Sequence, residues 1–126
     1  MKKILLAGLI ALSSQFALAG MDTKSIDPEF TKIEAMVKAK NMTGAYQALD
    51  KLAKQGNAQA LYNLGYLTQT GQGTAKDEKK AIQLYEQSSA KGYPVASYVL
   101  GKNYITGSMG LKPDPAKAKQ YYFNFY

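Results

Sequence analysis

The sequence predicts an all-α protein, a short α/α superhelical array of about three helical hairpins, and three observations carry that expectation. A ten-residue stretch from Gly56 to Gly65 returns from Gly92 to Gly101, an offset of 36 residues. The spacing Asp77, Ala81, Tyr85 then returns as Asp114, Ala118, Tyr122 at an offset of 37, with the extra residue absorbed between Gly71-Gln72-Gly73 and Gly107-Ser108-Met109-Gly110. Apolar residues elsewhere recur at helical rather than alternating spacing, and no strand pattern competes. A period of this length marks a stacked repeat, in which each unit buries its apolar face only against its neighbours.

The first element predicted is not part of the array. Lys2 and Lys3 precede an apolar run from Ile4 to Leu12, and Ala17-Leu18-Ala19 forms a small-x-small site. This is the pattern of a secretory signal peptide over residues 1–19, cleaved before Gly20. A membrane anchor fits less well, because Ser13, Ser14 and Gln15 interrupt the run short of the roughly 20 apolar residues a span needs. No cysteine follows the site, so lipid attachment there is excluded. The expected location is the bacterial periplasm or the medium, with no membrane span after cleavage.

What remains, residues 20–126, is one small domain. It contains no cysteine, so apolar packing alone must hold it together. Losing Lys2 and Lys3 lowers the net charge from +7 to +5, and every basic residue is a dispersed lysine. Lysine lacks the bidentate fork that favours phosphate. The charge therefore reads as a solvated surface, and a nucleic-acid partner is not expected.

After a polar lead-in, Gly20 to Ile26, Asp27 can cap a helix with Pro28 at its first position. Phe30, Ile33, Met36 and Val37 continue it at helical spacing until Asn41 to Gly44 break it. Thr43 is the expected cap of the second helix, whose stripe is Ala45, Ala48, Leu49, Leu52 and Ala53, and Gly56 ends it. Residues 45–56 echo residues 81–92, so 27–55 is a diverged hairpin, followed by one repeat over 56–91 and another over 92–126. The third helix runs from about Ala58 to Thr70. The fourth runs from about Glu78 to Lys91 under an Asp77 cap, and the fifth from Pro94 to about Thr106. The sixth begins at Asp114-Pro115 and continues to the end.

Here the residues carry a family resemblance. Ala60-x-x-x-Leu64-Gly65, Gly71-x-Gly73, Asp77, Lys80-Ala81, Tyr85 and Gly92 resemble the Sel1-like repeat, a relative of the tetratricopeptide repeat. Ala96-x-x-x-Leu100-Gly101-x-x-Tyr104-x-x-Gly107, Asp114, Lys117-Ala118 and Tyr122 resemble it again. The pattern departs at Thr68, where the family usually has tyrosine, and at Ser88-Ser89, which replace an alanine pair; both changes are expected to loosen the first full repeat. Gly65 and Gly101 are expected where two helices cross closely, with Tyr85 and Tyr122 filling the space they leave.

Chemistry is sparse. The chain has no histidine and no cysteine, which removes the commonest general base, the thiol nucleophile and the usual zinc ligands. Asp77 and Asp114 recur in register before helices and are explained as caps. No catalytic residue, metal site or cofactor is expected. Binding is the better reading, because all ten tyrosines lie after residue 45. The resemblance implies that the first helix of each pair lines a concave face. That places Gln59, Tyr62, Asn63, Tyr66 and Gln69 on this face of the third helix, and Val95, Tyr98, Val99, Lys102 and Ile105 on that of the fifth. The tyrosines at 62, 66 and 98 either line a partner-binding groove or pack against neighbouring repeats, and both placements satisfy the spacing.

At the C-terminus, Ala118, Tyr121, Tyr122 and Phe125 are expected to pack inward, leaving Phe123 and Tyr126 on a face where a further helix would dock. A homodimer or the functional partner is expected to cover it, the dimer being favoured. The function expected is non-catalytic binding of another protein, in its specific form an immunity or inhibitor protein against a cell-envelope toxin. The alternative from a different class is an envelope polysaccharide hydrolase or its regulator.

Overall fold

The computed structural model describes residues 20–125, so the predicted signal segment and Tyr126 lie outside the described residues. Six helices follow one another: α1 Pro28–Lys38, α2 Met42–Lys54, α3 Ala58–Thr70, α4 Glu78–Ala90, α5 Pro94–Thr106 and α6 Pro115–Phe125. Among the described residues there is no strand. Each helix packs on the next, forming the hairpins α1–α2, α3–α4 and α5–α6, which are joined by the α2–α3 and α4–α5 contacts.

The helix starts follow from local chemistry. The carboxylates of Asp27, Asp77 and Asp114 accept from the backbone N–H groups of Glu29, Lys80 and Lys117 at 2.9, 3.0 and 3.0 Å. Asn57 does the same for Ala60 at 2.9 Å. At α2 the expected Thr43 cap is replaced by Asn41, whose side chain accepts from Gly44 N–H at 3.0 Å. The reason lies upstream. Lys40 takes a positive φ of 62° and Asn41 N–H closes onto the Met36 carbonyl at 2.8 Å, which ends α1 and leaves Asn41 as the first residue able to cap. The helices α3 and α5 end alike, with left-handed glycines at Gly71 and Gly107, φ 70° and 71°.

Two apolar clusters form the interior. One joins α1, α2 and α3 around Phe30, Ile33, Leu49 and Leu64, and the other joins α3 to α6 around Tyr85, Ala96, Leu100 and Ala118. The glycine–tyrosine pairs sit between hairpin partners as expected. A Cβ on Gly65 would lie 2.8 Å from the Tyr85 ring, and one on Gly101 would lie 2.9 Å from the Tyr122 ring.

The expected loosening at Ser88-Ser89 and Thr68 is not found. Ser88 Oγ donates to the Ala58 carbonyl at 2.6 Å, and Ser89 Oγ and Ser97 Oγ share a hydrogen bond at 2.6 Å. These bonds tie α4 to the starts of α3 and α5, which an alanine pair could not do. Thr68 is buried, its hydroxyl donates to the Leu64 carbonyl at 2.7 Å, and its own carbonyl accepts from Asp77 N–H. No described side-chain nitrogen or oxygen is buried without a partner.

Candidate functional site

The predicted binding residues fall on two surfaces with opposite fates. On α3 the expected open groove is filled by the chain's own lead-in. Tyr62 is 6% exposed and Asn63 is fully buried, which corrects their placement on a free face. The Tyr62 hydroxyl donates to the Gly20 carbonyl at 2.9 Å. The Asn63 amide both accepts from Asp22 N–H at 2.8 Å and donates to the Asp22 carbonyl at 2.7 Å. Gln59 reaches the carbonyls of Asp22 and Lys24 at 2.6 and 3.0 Å. Met21 enters the α1–α3 cluster, Thr23 Oγ1 meets Glu34 of α1 at 3.5 Å, and the Tyr93 hydroxyl donates to the Asp22 carboxylate.

The segment thus lies across the first helices of all three hairpins, and residues 20–24 with Glu34, Tyr62 and Val95 enclose a hollow of about 400 Å³. Tyr66 is half-buried against Gly20, and Gln69 accepts from the Tyr85 hydroxyl at 2.7 Å. Burial, with the nearby Tyr66 and Asp22 charges, pushes the Tyr62 hydroxyl up to about 12. Burial also raises Tyr93, aided by its bond to Asp22.

One repeat further on, the same stripe is open. Tyr98, Lys102 and Ile105 stand 36 residues after Tyr62, Tyr66 and Gln69. The ring contact repeats as well, since Tyr62 meets Tyr85 at 5.5 Å and Tyr98 meets Tyr122 at 6.0 Å. Among the described residues no segment like Gly20–Lys24 lies over the second copy; Tyr98 is flanked by rings of α6 yet 45% exposed, Ile105 is 53% exposed, and Lys102 is exposed too. Phe123 on α6 is 70% exposed. With Ile105, Pro115, Ala118, Lys119 and Tyr122 it lines an almost wholly apolar hollow of about 420 Å³. The inward stripe of α6 packs on α5 as expected: Tyr121 stacks on Tyr104 at 5.7 Å, and Phe125 meets Tyr98 at 5.4 Å. Tyr126, grouped with Phe123 by the sequence, lies outside the described residues.

Ile105, placed by the sequence on the same face as Tyr98 and Lys102, is exposed with them. Sequence reasoning missed Gly20–Lys24 as the cover of α3, for which only Met21 gives an apolar signal. Asp77 and Asp114 are engaged as caps, and among the described residues no group of three or more acidic side chains converges as a metal site would require. No described helix is long and apolar enough to cross a membrane.

Comparison with known proteins agrees with this geometry. The Sel1 repeat family matches residues 58–93 and 94–123. The protein sel-1 homolog 2 of Homo sapiens is 37% identical over 67 residues, 53% of this chain and 10% of that protein. The chitin synthase regulator SKT5 of Saccharomyces cerevisiae is 29% identical over 70 residues, 56% of this chain and 10% of that protein. The chain thus spans about a tenth of the length of these curated relatives. The crystal structure of a Sel1 repeat protein from Oxalobacter formigenes superposes with a TM-score of 0.59 at 25% identity, covering 64% of this chain and 61% of that one.

Proposed function

This chain belongs to the Sel1 repeat family, and on that premise we propose that it is a non-catalytic module that binds another protein through Tyr98, Lys102, Ile105 and Phe123. Sel1 repeats generally mediate protein–protein interaction. The observation that carries the assignment is the register of the two stripes. The α3 copy is covered by protein, whereas the α5 copy, with Tyr98, Lys102 and Ile105 at the matching positions, is exposed to solvent. Tyrosine and phenylalanine there offer large, rigid contact area, and tyrosine is among the residues enriched at energetically dominant interface positions.

The proposed setting is the bacterial periplasm or the medium, reached by cleavage after Ala19, and the residues supporting it are Lys2, Lys3, the apolar run and Ala17-Leu18-Ala19. In its specific form the module is an immunity or inhibitor protein against an envelope toxin. A second reading, control of an envelope polysaccharide enzyme, is favoured by the similarity to a yeast chitin synthase regulator. Hydrolysis by the chain itself is disfavoured, because the recurring aspartates are engaged as caps. The exposed Phe123 end is also the proposed seat of a homodimer.

The test is affinity capture from envelope extract with the wild-type chain and a Tyr98→Ala/Phe123→Ser variant, together with a polysaccharide turnover assay. Partner recovery by the wild type and its loss with the folded variant is the expected result. Glycan turnover by the purified chain, or equal recovery by both proteins, would refute it.

A further inference from the structure

The face opposite in fate, on α3, already shows what it can hold. Residues 21–24 lie outside regular secondary structure, and the carbonyls of Gly20, Asp22 and Lys24 turn toward α3 to accept from Tyr62, Asn63 and Gln59. Asn63 donates to and accepts from the backbone of a single residue, a contact indifferent to the side chain being carried. Helix side chains that grip main chain in this way recognise a peptide as such.

Selectivity comes from three remaining contacts. At Gly20 an added Cβ would lie 2.1 Å from the Tyr66 ring, so a small residue fits there. Met21 fills an apolar seat in the α1–α3 cluster. The Asp22 carboxylate accepts from the hydroxyl of half-buried Tyr93, a contact that favours an acidic side chain at this position. Beyond Lys24 the grip ends, and Ser25 and Ile26 are exposed.

We propose that this face is a groove for a segment of a partner protein with the order small, apolar, acidic, and that Gly20–Lys24 is its tethered occupant, displaced when the partner binds. The site is separate from the Tyr98–Phe123 surface and stands or falls independently of it. A tethered segment competes at an effective concentration of order millimolar, so the intact chain answers weakly to an added peptide until the tether is released. The donors of Tyr62, Asn63 and Gln59 meet main-chain carbonyls, groups that any exchanged segment also carries.

The probe is a synthetic heptapeptide with the sequence of residues 20–26, labelled at its C-terminus and followed by fluorescence anisotropy against the full chain. The double variant Met21→Asp/Asp22→Pro removes the apolar anchor and the N–H that Asn63 reads, releasing the tail. It is expected to bind the peptide about tenfold or more tightly than the wild type does. Adding Asn63→Ala abolishes that binding, Tyr98→Ala leaves it unchanged, and a peptide with lysine in place of its aspartate binds poorly. A released variant that is helical by circular dichroism yet ignores the peptide overturns the proposal, as does equal binding of the lysine peptide. Should the released variant fail to fold, hydrogen exchange on the wild type decides: the Asp22 amide must exchange faster in excess peptide, and unchanged exchange overturns the proposal. A wild-type dimer whose Asp22 amide loses protection on dilution would assign the groove to a second copy's tail, and the partner peptide would fall.

Discussion

The same substitution made at two equivalent glycines is expected to give opposite answers. Replacing Gly65 by alanine places a methyl 2.8 and 2.9 Å from two Tyr85 ring carbons and 3.4 Å from the Ala81 carbonyl. Carbon atoms settle near 3.5–4.0 Å, so the ring must retreat by about 0.7 Å. It has nowhere to go: Tyr85 is buried, its hydroxyl is bonded to Gln69 at 2.7 Å, and its ring lies 5.5 Å from that of Tyr62. Overpacking of this kind costs about 1–3 kcal/mol, against about 1 kcal/mol gained in helix propensity. The net expectation is a loss of about 1 kcal/mol, or about 4–8 °C in Tm for a domain of this size. At Gly101 the methyl meets Tyr122 at 2.9 Å, but that ring is only half-buried on the outer helix and can turn toward solvent. There the propensity gain survives, and Gly101→Ala is expected to be neutral or slightly stabilising. Leucine at either site should cost about 1–3 kcal/mol. Urea melts of the two alanine variants decide the matter. A Gly65→Ala protein as stable as wild type, or equal losses at both glycines, would refute the packing argument.

Three further outcomes follow from the described contacts. Burial raises the Tyr62, Tyr85 and Tyr93 hydroxyls in the fold, Tyr62 to about 12, while unfolded tyrosine ionises near 10; stability is therefore fully present below about pH 10 and falls as pH rises toward 12. A urea midpoint that stays flat from pH 9 to 12 would contradict this. Asp77→Ala and Asp114→Ala each remove a cap and should lower stability by about 1 kcal/mol, read as a melting shift, whereas an unshifted melt would mean the caps contribute nothing. Intact mass of the protein from fractionated cells is expected to begin at Gly20, and a retained Met1 on cytoplasmic protein would end the export proposal.

The array was legible because its grammar is local. Asp27-Pro28, Asp77 and Asp114-Pro115 announce helix starts within three residues of the groups they cap, and the Gly65–Tyr85 and Gly101–Tyr122 pairs repeat at a near-constant offset. What escaped is non-local or backbone-mediated. The Asp22–Asn63 contact spans 41 residues and reads main chain, which leaves no pattern in the side chains. Only Met21 is apolar in Gly20–Ser25, too little for periodicity to register. The assignment of Tyr62 and Asn63 to an open face failed for that reason: the helix face was right and its cover was invisible. Ser88-Ser89 misled differently, because hydroxyls that find the Ala58 carbonyl and Ser97 behave as ties rather than defects. Tyr98 and Lys102, placed on the concave face through the resemblance, and Phe123, placed on an outer face by helical spacing, are exposed.

The claim that this chain works by presenting an open aromatic stripe is tested most directly by calorimetric titration of its captured partner protein. Tyr98→Ala/Phe123→Ser should weaken Kd by about tenfold or more, equivalent to about 1.4 kcal/mol, while the urea midpoint stays at the wild-type value. An unchanged Kd with the folded double variant would contradict the account.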